Sequence, residues 1–192
     1  MNKSQGGSRQ GRARALAARL NGRPVVLVGM MGAGKTTVGR RLASRLGRQF
    51  IDSDEEIERA AQMTIPEIFE QRGEAEFRAG EMRVIARLLK ENDLVLATGG
   101  GAFVNPETRA LVRAGAVSVW LKADIDILFE RVSRRSNRPL LKTADPRATL
   151  EKLIAERYPI YAQADVTVIS RDVPQDNVAG DVVAALLDHL KT

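Results

Sequence analysis

GMMGAGKT, at residues 29–36, is the segment that says most about the fold of this chain. It matches the pattern G-x-x-x-x-G-K-[ST], follows an apolar run at 25–28 and opens a segment with helical spacing at 35–46. Glycines let backbone N–H groups approach a phosphate closely, and a helix N-terminus adds partial positive charge. Lys35 can reach the β- and γ-phosphates, and the Thr36 hydroxyl can bind Mg²⁺. The stretch therefore predicts a loop that binds a nucleoside triphosphate together with Mg²⁺.

Short apolar runs alternate with helical periods from this loop to the end of the chain. The runs are continuously apolar, as expected of strands in a parallel sheet whose two faces are both covered. We predict an α/β fold, a P-loop three-layer α/β/α sandwich with a five-stranded parallel sheet and a mobile lid. The predicted strands are 25–28, 50–51, 94–97, 117–121 and 166–169, and the predicted helices include 35–46, 55–61, 74–90, 106–114, 125–132, 146–158 and 178–190.

The composition excludes several classes of protein. The 192 residues include no cysteine and one histidine, His189, which excludes a disulfide scaffold, a thiolate metal site and a multi-histidine site. No apolar run approaches the ~20 residues that a membrane-spanning helix needs. Aromatic residues make up only 4%, which disfavours base stacking. We expect a cytoplasmic protein with no membrane and no nucleic-acid partner.

The formal net charge of +6 comes from the start of the chain. Residues 1–23 carry six basic side chains and no acid, so the remainder is formally neutral. We expect residues 1–23 to be a basic, disordered extension and residues 24–192 to be the folded P-loop domain. A short helix over 12–20, acting as an anchor to anionic surfaces or as a targeting segment, is the alternative.

Two polar segments follow predicted strands, where ligands of parallel sheets bind. Asp52 and Asp54 flank Ser53 after the second strand; one carboxylate can hold Mg²⁺ and the other can accept a proton from an attacking hydroxyl. A helix N-cap explains the same residues equally well. After the third strand, Gly99, Gly100 and Gly101 would let the main chain approach a ligand, although a simple loop is possible.

Basic residues elsewhere suggest contacts with anions. The segment RVSRRSNRPLLK (131–142) holds five basic residues and no acid, the composition of a lid that closes over polyphosphate, and we place this lid at about 131–144. Arg138 is held extended by the proline that follows it. Arg78 is either an ordinary surface arginine or a fork for a carboxylate, and Arg157 is either another anion contact or a favourable cation at the end of a helix.

Taken together, the segments resemble the shikimate kinase family. The matching stretches are GMMGAGKTTVGRRLA (29–43), DSDEEI (52–57), GEAEFR (73–78), ATGGGA (97–102), RPLL (138–141) and Glu156-Arg157 with Pro159 and Tyr161. The resemblance covers residues 24–190 and implies transfer of the γ-phosphoryl group of ATP to the 3-hydroxyl of shikimate.

The resemblance also implies roles for individual residues. On the nucleotide side, the phosphates would be wrapped by Gly32, Ala33, Gly34, Lys35, Thr36 and Thr37, the adenine would stack on Arg131, and Arg138 would meet the transferring group. The metal Mg²⁺ would be bound by Thr36 with Asp52 nearby. On the acceptor side, shikimate would be contacted by Asp54, Arg78, Gly99, Gly100, Gly101 and Arg157. Lys35, Asp54 and Arg138 would be the catalytic residues.

Two alternatives come from different classes. A kinase of another small hydroxy acid, such as gluconate, would share the loop, an early aspartate and a lid. A nucleotide-dependent binding module that uses its basic tail would instead lose its function when residues 1–22 are removed. We expect a monomer, because no long exposed heptad pattern occurs.

Overall fold

The computed structural model describes residues 3–134 and 145–191. Its centre is a five-stranded sheet in which every pair of neighbouring strands is parallel, in the order β2-β3-β1-β4-β5. The strands are β1 (Val25–Val28), β2 (Gln49–Asp52), β3 (Leu94–Ala97), β4 (Val117–Lys122) and β5 (Val166–Ile169). The predicted α/β fold and its parallel sheet are confirmed.

Eight α-helices surround the sheet in the described part of the chain. They are α1 (Lys3–Leu20), α2 (Lys35–Leu46), α3 (Ser53–Ala61), α4 (Ile65–Leu88), α5 (Pro106–Gly115), α6 (Ile125–Ser133), α7 (Pro146–Tyr161) and α8 (Gln175–His189), with a short 3₁₀ helix at Ala102–Val104. Helices α1, α2 and α8 pack against one another, and α4 packs against both α3 and α5. No helix among these residues combines the length and apolarity needed to cross a membrane.

Helix α4 is longer than the sequence predicts and is kinked. It begins at a complete capping box, in which Thr64 and Glu67 bond reciprocally, and Pro66 lies in the first turn. Gly73 then leaves the helical conformation, with φ 80° and ψ 172°. Two helical segments therefore meet at Gly73, and the second begins where the helix predicted at 74–90 was expected.

The beginning of the chain differs from the expectation of a disordered extension. Helix α1 buries Ala13, Leu16 and Leu20 in the main core, and the Arg19 guanidinium donates to the carbonyl of Leu187 at 3.1 Å. The three apolar residues recur at helical spacing and form a stripe that α8 and α2 cover. The prediction of disorder was therefore wrong for this stretch, because the stripe finds its partners in distant parts of the chain.

Candidate active site

A cavity of about 380 Å³ opens at the carboxyl ends of β1, β2 and β3. Its walls combine the glycine-rich loop after β1, the aspartates after β2, the glycines after β3 and the end of α6. The lining residues are Met31, Gly32, Gly34, Lys35, Thr36, Thr37, Asp52, Asp54, Thr98, Gly99, Gly100, Arg131, Val132, Arg134 and Gln175. The topology thus brings most of the predicted nucleotide and acceptor residues into one cavity.

The loop at 29–36 has the form that a phosphate site needs. Gly34 caps α2 in the left-handed region, with φ 92°, a conformation that L side chains rarely adopt. The Lys35 ammonium is held over the loop by the carbonyls of Gly29 at 2.8 Å and Met30 at 2.9 Å. A fixed positive charge therefore lies beside the N-terminus of α2, where an anion is also favoured by the helix dipole.

Thr36 and Asp52 form the oxygen pair next to this loop. The Thr36 hydroxyl donates to Asp52 Oδ2 at 2.9 Å, and Asp52 Oδ1 accepts the backbone N–H of Asp54 at 3.1 Å. Asp52 is therefore the N-cap of α3 and also faces the predicted metal ligand. A hydroxyl and a carboxylate suit Mg²⁺, which typically binds one or two side chains together with phosphate and water. Within residues 3–134 and 145–191 no cluster of three or more acidic, histidine or cysteine side chains could hold a metal.

The loop after β3 is held against α3. The backbone N–H of Gly99 donates to the Ser53 hydroxyl at 3.1 Å. A Cβ at Gly99 would lie 2.7 Å from Asp54 Oδ1 and 2.9 Å from Glu81 Oε1. Glycine at this position therefore avoids a clash with two carboxylates of the chain itself, and the approach of this loop to a ligand stays a prediction.

Arg78 lies behind this loop in an ion-pair network. Its guanidinium bonds to Glu81 Oε2 at 2.8 Å and to Glu74 Oε1 at 3.3 Å. The Glu81 side chain is only 2% exposed. Burial raises the pKa of Glu81, and the charge of Asp54 raises it further. The hydrogen bond and charge of Arg78 oppose this rise, as does a weaker effect of Arg157. The site thus contains a buried carboxyl in contact with a predicted acceptor arginine.

Glu81 was missed by the sequence analysis, although a signal was present. It lies four residues after Phe77 and four before Ile85, two positions that helical spacing turns inward. A glutamate on the buried stripe of a helix must be paired with a cation, and Arg78 is one turn away.

Arg157 reaches the same loop from α7. Its Nη1 lies 3.4 Å from the carbonyl oxygen of Gly100, which also accepts the Tyr161 hydroxyl. Arg78 and Arg157 therefore approach the glycine loop from two different helices. The structure places every predicted acceptor residue around Gly99–Gly101, and the individual roles of these residues stay predictions.

Arg131, near the end of α6, contacts the loop after β5. Its guanidinium donates to the Ser170 hydroxyl at 3.1 Å and to the carbonyl of Arg171 at 2.9 Å. Gln175, which the sequence analysis did not select, lines the same end of the cavity. Arg138 lies outside the described residues, as does the rest of the predicted lid from 135 to 144.

A phosphate loop and a facing carboxylate in one cavity, with two arginines beside the glycine loop, define a P-loop kinase of a small molecule. The sequence model of the family described as shikimate kinase matches residues 31–187. The chain belongs to the shikimate kinase family, as the resemblance implied.

Individual relatives agree with this assignment. The shikimate kinase of Rhodopseudomonas palustris is 61% identical over 175 residues, which is 91% of this chain and 86% of the relative. The corresponding protein of Bradyrhizobium diazoefficiens is 57% identical, with 91% of this chain and 84% of the relative covered.

A solved shikimate kinase is more similar to this chain than a solved gluconokinase is. A shikimate kinase from Acinetobacter baumannii, solved in complex with shikimate, is 40% identical with a TM-score of 0.85, covering 90% of this chain and 97% of that one. A gluconokinase from Sinorhizobium meliloti is 19% identical with a TM-score of 0.61, covering 88% of this chain and 94% of that one. The second likeness extends to the fold alone.

Proposed function

We propose that the protein transfers the γ-phosphoryl group of ATP to the 3-hydroxyl of shikimate. The observation that carries the proposal is the continuity of the cavity, which runs from Lys35 and Thr36 to Asp54 and Gly100. A donor phosphate on the loop and an acceptor hydroxyl beside Asp54 therefore share one space. Family membership supports both the ATP and the shikimate assignments.

The donor end is built to hold polyphosphate. The backbone of Gly32–Thr37 surrounds the phosphates, and Lys35 neutralises charge on the transferring group. Thr36 would bind Mg²⁺ and Asp52 would hold it through its water shell; their oxygens fit that ion. When bound, Mg²⁺ supplies positive charge that draws electrons from the bridging phosphate oxygens.

The acceptor end aligns the attacking hydroxyl. Arg78 and Arg157 bind the carboxylate of shikimate, because a guanidinium fork matches that planar anion. Asp54 accepts the hydroxyl proton while the oxygen attacks the γ-phosphorus and the bond to the β-phosphate oxygen breaks, leaving ADP. The chain contributes position and charge rather than a covalent intermediate.

The proposal also includes the roles of two further arginines and the state of the protein in the cell. Arg138 meets the transferring phosphoryl group from the lid, and Arg131 stacks on the adenine. The protein works as a cytoplasmic monomer without a nucleic-acid or membrane partner.

A coupled ADP-release assay tests the reaction and the acceptor together. With Mg-ATP and shikimate we expect about 1–100 turnovers per second, with gluconate at background. Lys35→Met is the matched control, since it removes the loop cation and should abolish turnover. Shikimate-independent ADP release, or release stimulated only by gluconate, would overturn the proposal.

The alternative of a binding module that uses its basic tail needs a different test from deletion of residues 1–22. Deletion would remove the buried stripe of α1 and expose the core it covers. Arg12→Gln with Arg14→Gln changes only exposed charge. A kinase keeps its turnover in this double variant, whereas a tail-dependent binder loses its function.

A further inference from the structure

Tyr161 lies at the end of α7, in contact with both the glycine loop and the phosphate loop. The side chain is 0% exposed, and its hydroxyl donates to the carbonyl of Gly100. The hydroxyl oxygen also lies 3.8 Å from Met30 Sδ, in the phosphate loop. One buried hydroxyl thus connects the acceptor loop with the nucleotide loop.

The hydroxyl stays protonated under all ordinary conditions. Burial raises the pKa of Tyr161 to about 12, although Arg157 opposes the rise. Its single proton goes to the Gly100 carbonyl, a far stronger acceptor than a thioether sulfur. The donor is therefore permanent, and it fixes the plane of the Gly100–Gly101 peptide because that unit is rigid.

The carbonyl of Gly100 has a second potential donor in Arg157, whose Nη1 is 3.4 Å away. This distance is longer than a typical N–H···O bond, so Arg157 is only weakly bonded to this carbonyl, and it also bonds to the Tyr161 hydroxyl. Without the tyrosine hydroxyl, Arg157 would be the side-chain donor left to the half-buried Gly100 carbonyl. Arg157 would then be drawn toward the loop and away from an acceptor.

We propose that Tyr161 is a positioning residue, which satisfies the Gly100 carbonyl and so keeps the Arg157 guanidinium available for the carboxylate of the acceptor. The proposal rests on the proposed function, because it assumes that Arg157 binds a substrate carboxylate. It adds a residue that touches neither substrate nor nucleotide but controls the affinity for one of them.

Helix α7 offers a matched control in Tyr158. Its hydroxyl also donates to a backbone carbonyl, that of Ala123, and its ring packs against Trp120 as the ring of Tyr161 does. Ala123 lies directly after β4, away from the glycine loop. Tyr158→Phe therefore removes the same chemical group from the same helix without changing Gly100.

The experiment compares Tyr161→Phe and Tyr158→Phe with the unaltered chain. We expect Tyr161→Phe to raise the KM for shikimate about 5- to 10-fold, the effect of one lost hydrogen bond, with the KM for ATP changed less than about twofold. Shikimate affinity by titration calorimetry should fall by the same factor, and the fitted stoichiometry gives the folded fraction. Tyr158→Phe should leave both constants within about twofold.

A merely structural role predicts a different pattern. Equal changes in both KM values, or the same shikimate effect in Tyr158→Phe, would overturn the positioning role, as would unchanged shikimate affinity in Tyr161→Phe. These failures leave the proposed function standing, because the unaltered chain would still turn over shikimate. No shikimate-dependent turnover in the unaltered chain would refute the proposed function itself.

Discussion

Replacement of Gly101 by alanine should weaken shikimate binding without disturbing the fold. A Cβ at this position would lie 2.5 Å from Arg78 Nη1 and 2.7 Å from its Cζ and Nη2. The backbone of Gly101 has φ −91° and ψ −18°, a conformation open to alanine, so the conflict falls on the arginine. The guanidinium is the flexible end of a side chain that is 27% exposed, so it moves in preference to the backbone.

The size of the effect follows from the displacement. Carbon contacts become favourable only near 3.5 Å, so the guanidinium must withdraw by about 1 Å. A shift of that size breaks at least one charge-assisted hydrogen bond to a carboxylate, which contributes about 1.5–3 kcal/mol. We therefore expect shikimate affinity to fall roughly 10- to 100-fold. ATP affinity and the midpoint of thermal unfolding should change little.

Titration calorimetry with shikimate and, separately, with a non-hydrolysable ATP analogue measures both quantities. Gly80→Ala is the control, since it adds the same methyl group two residues from Arg78, and the nearest atom to its Cβ is 3.9 Å away. A double variant, Gly101→Ala with Arg78→Ala, should bind no more weakly than Arg78→Ala alone. Additive losses, or shikimate affinity unchanged by Gly101→Ala, would refute the reasoning.

Three further predictions concern other parts of the molecule. Arg157→Ala should weaken shikimate binding and leave ATP binding intact in calorimetric titrations; equal losses for both ligands would contradict its role. The pKa of Glu81 is higher in the folded chain than its ordinary value of 4.5. Its contribution to the free energy of unfolding is therefore complete below pH 4.5 and is lost as the pH rises through the raised pKa. The stability of the unaltered chain relative to Glu81→Gln, measured by urea unfolding, should thus fall as the pH rises above 4.5, and a constant difference would argue against the shift. Leu16→Ala, at a fully buried position, should lower the free energy of unfolding by about 2–4 kcal/mol. Arg14→Ala, at an exposed position of the same helix, should lower it by less than about 0.5 kcal/mol. Equal effects of the two substitutions would mean that α1 does not pack on the rest of the protein.

The fold could be predicted because its signals are local. Each strand is a short continuous apolar run, and the spacing of glycines and lysine at 29–36 indicates a phosphate-binding loop. The parallel arrangement then places Asp54 and Gly100 at the same edge of the sheet without any knowledge of distances.

What the sequence analysis missed depends on distant or ambiguous partners. Tyr161 was named as part of a matching stretch but its polar contact was not predicted, and Glu81 was not selected. Each lies on the inward side of a helix, where a buried residue is ordinarily part of the core, and their polar partners belong to other elements or to the next turn. The apolar stripe of α1 was too short and too rich in alanine to predict burial, because the residues that cover it lie as far as 168 positions away. Local patterns therefore identify the elements, whereas docking depends on the whole chain.

Because α1 packs on α8, α1 can reach its final packing only after α8 has been synthesised. The Arg19–Leu187 bond joins residues 168 positions apart, so α1 leaves the ribosome long before its partner exists. At about 5–20 residues per second, roughly 10–30 s pass before α8 is synthesised. During that interval Leu16 and Leu20 have no α8 to cover them, and nascent chains should be most prone to associate with chaperones then. Helix α8, which is synthesised late, thus covers the apolar residues of α1, which is synthesised early.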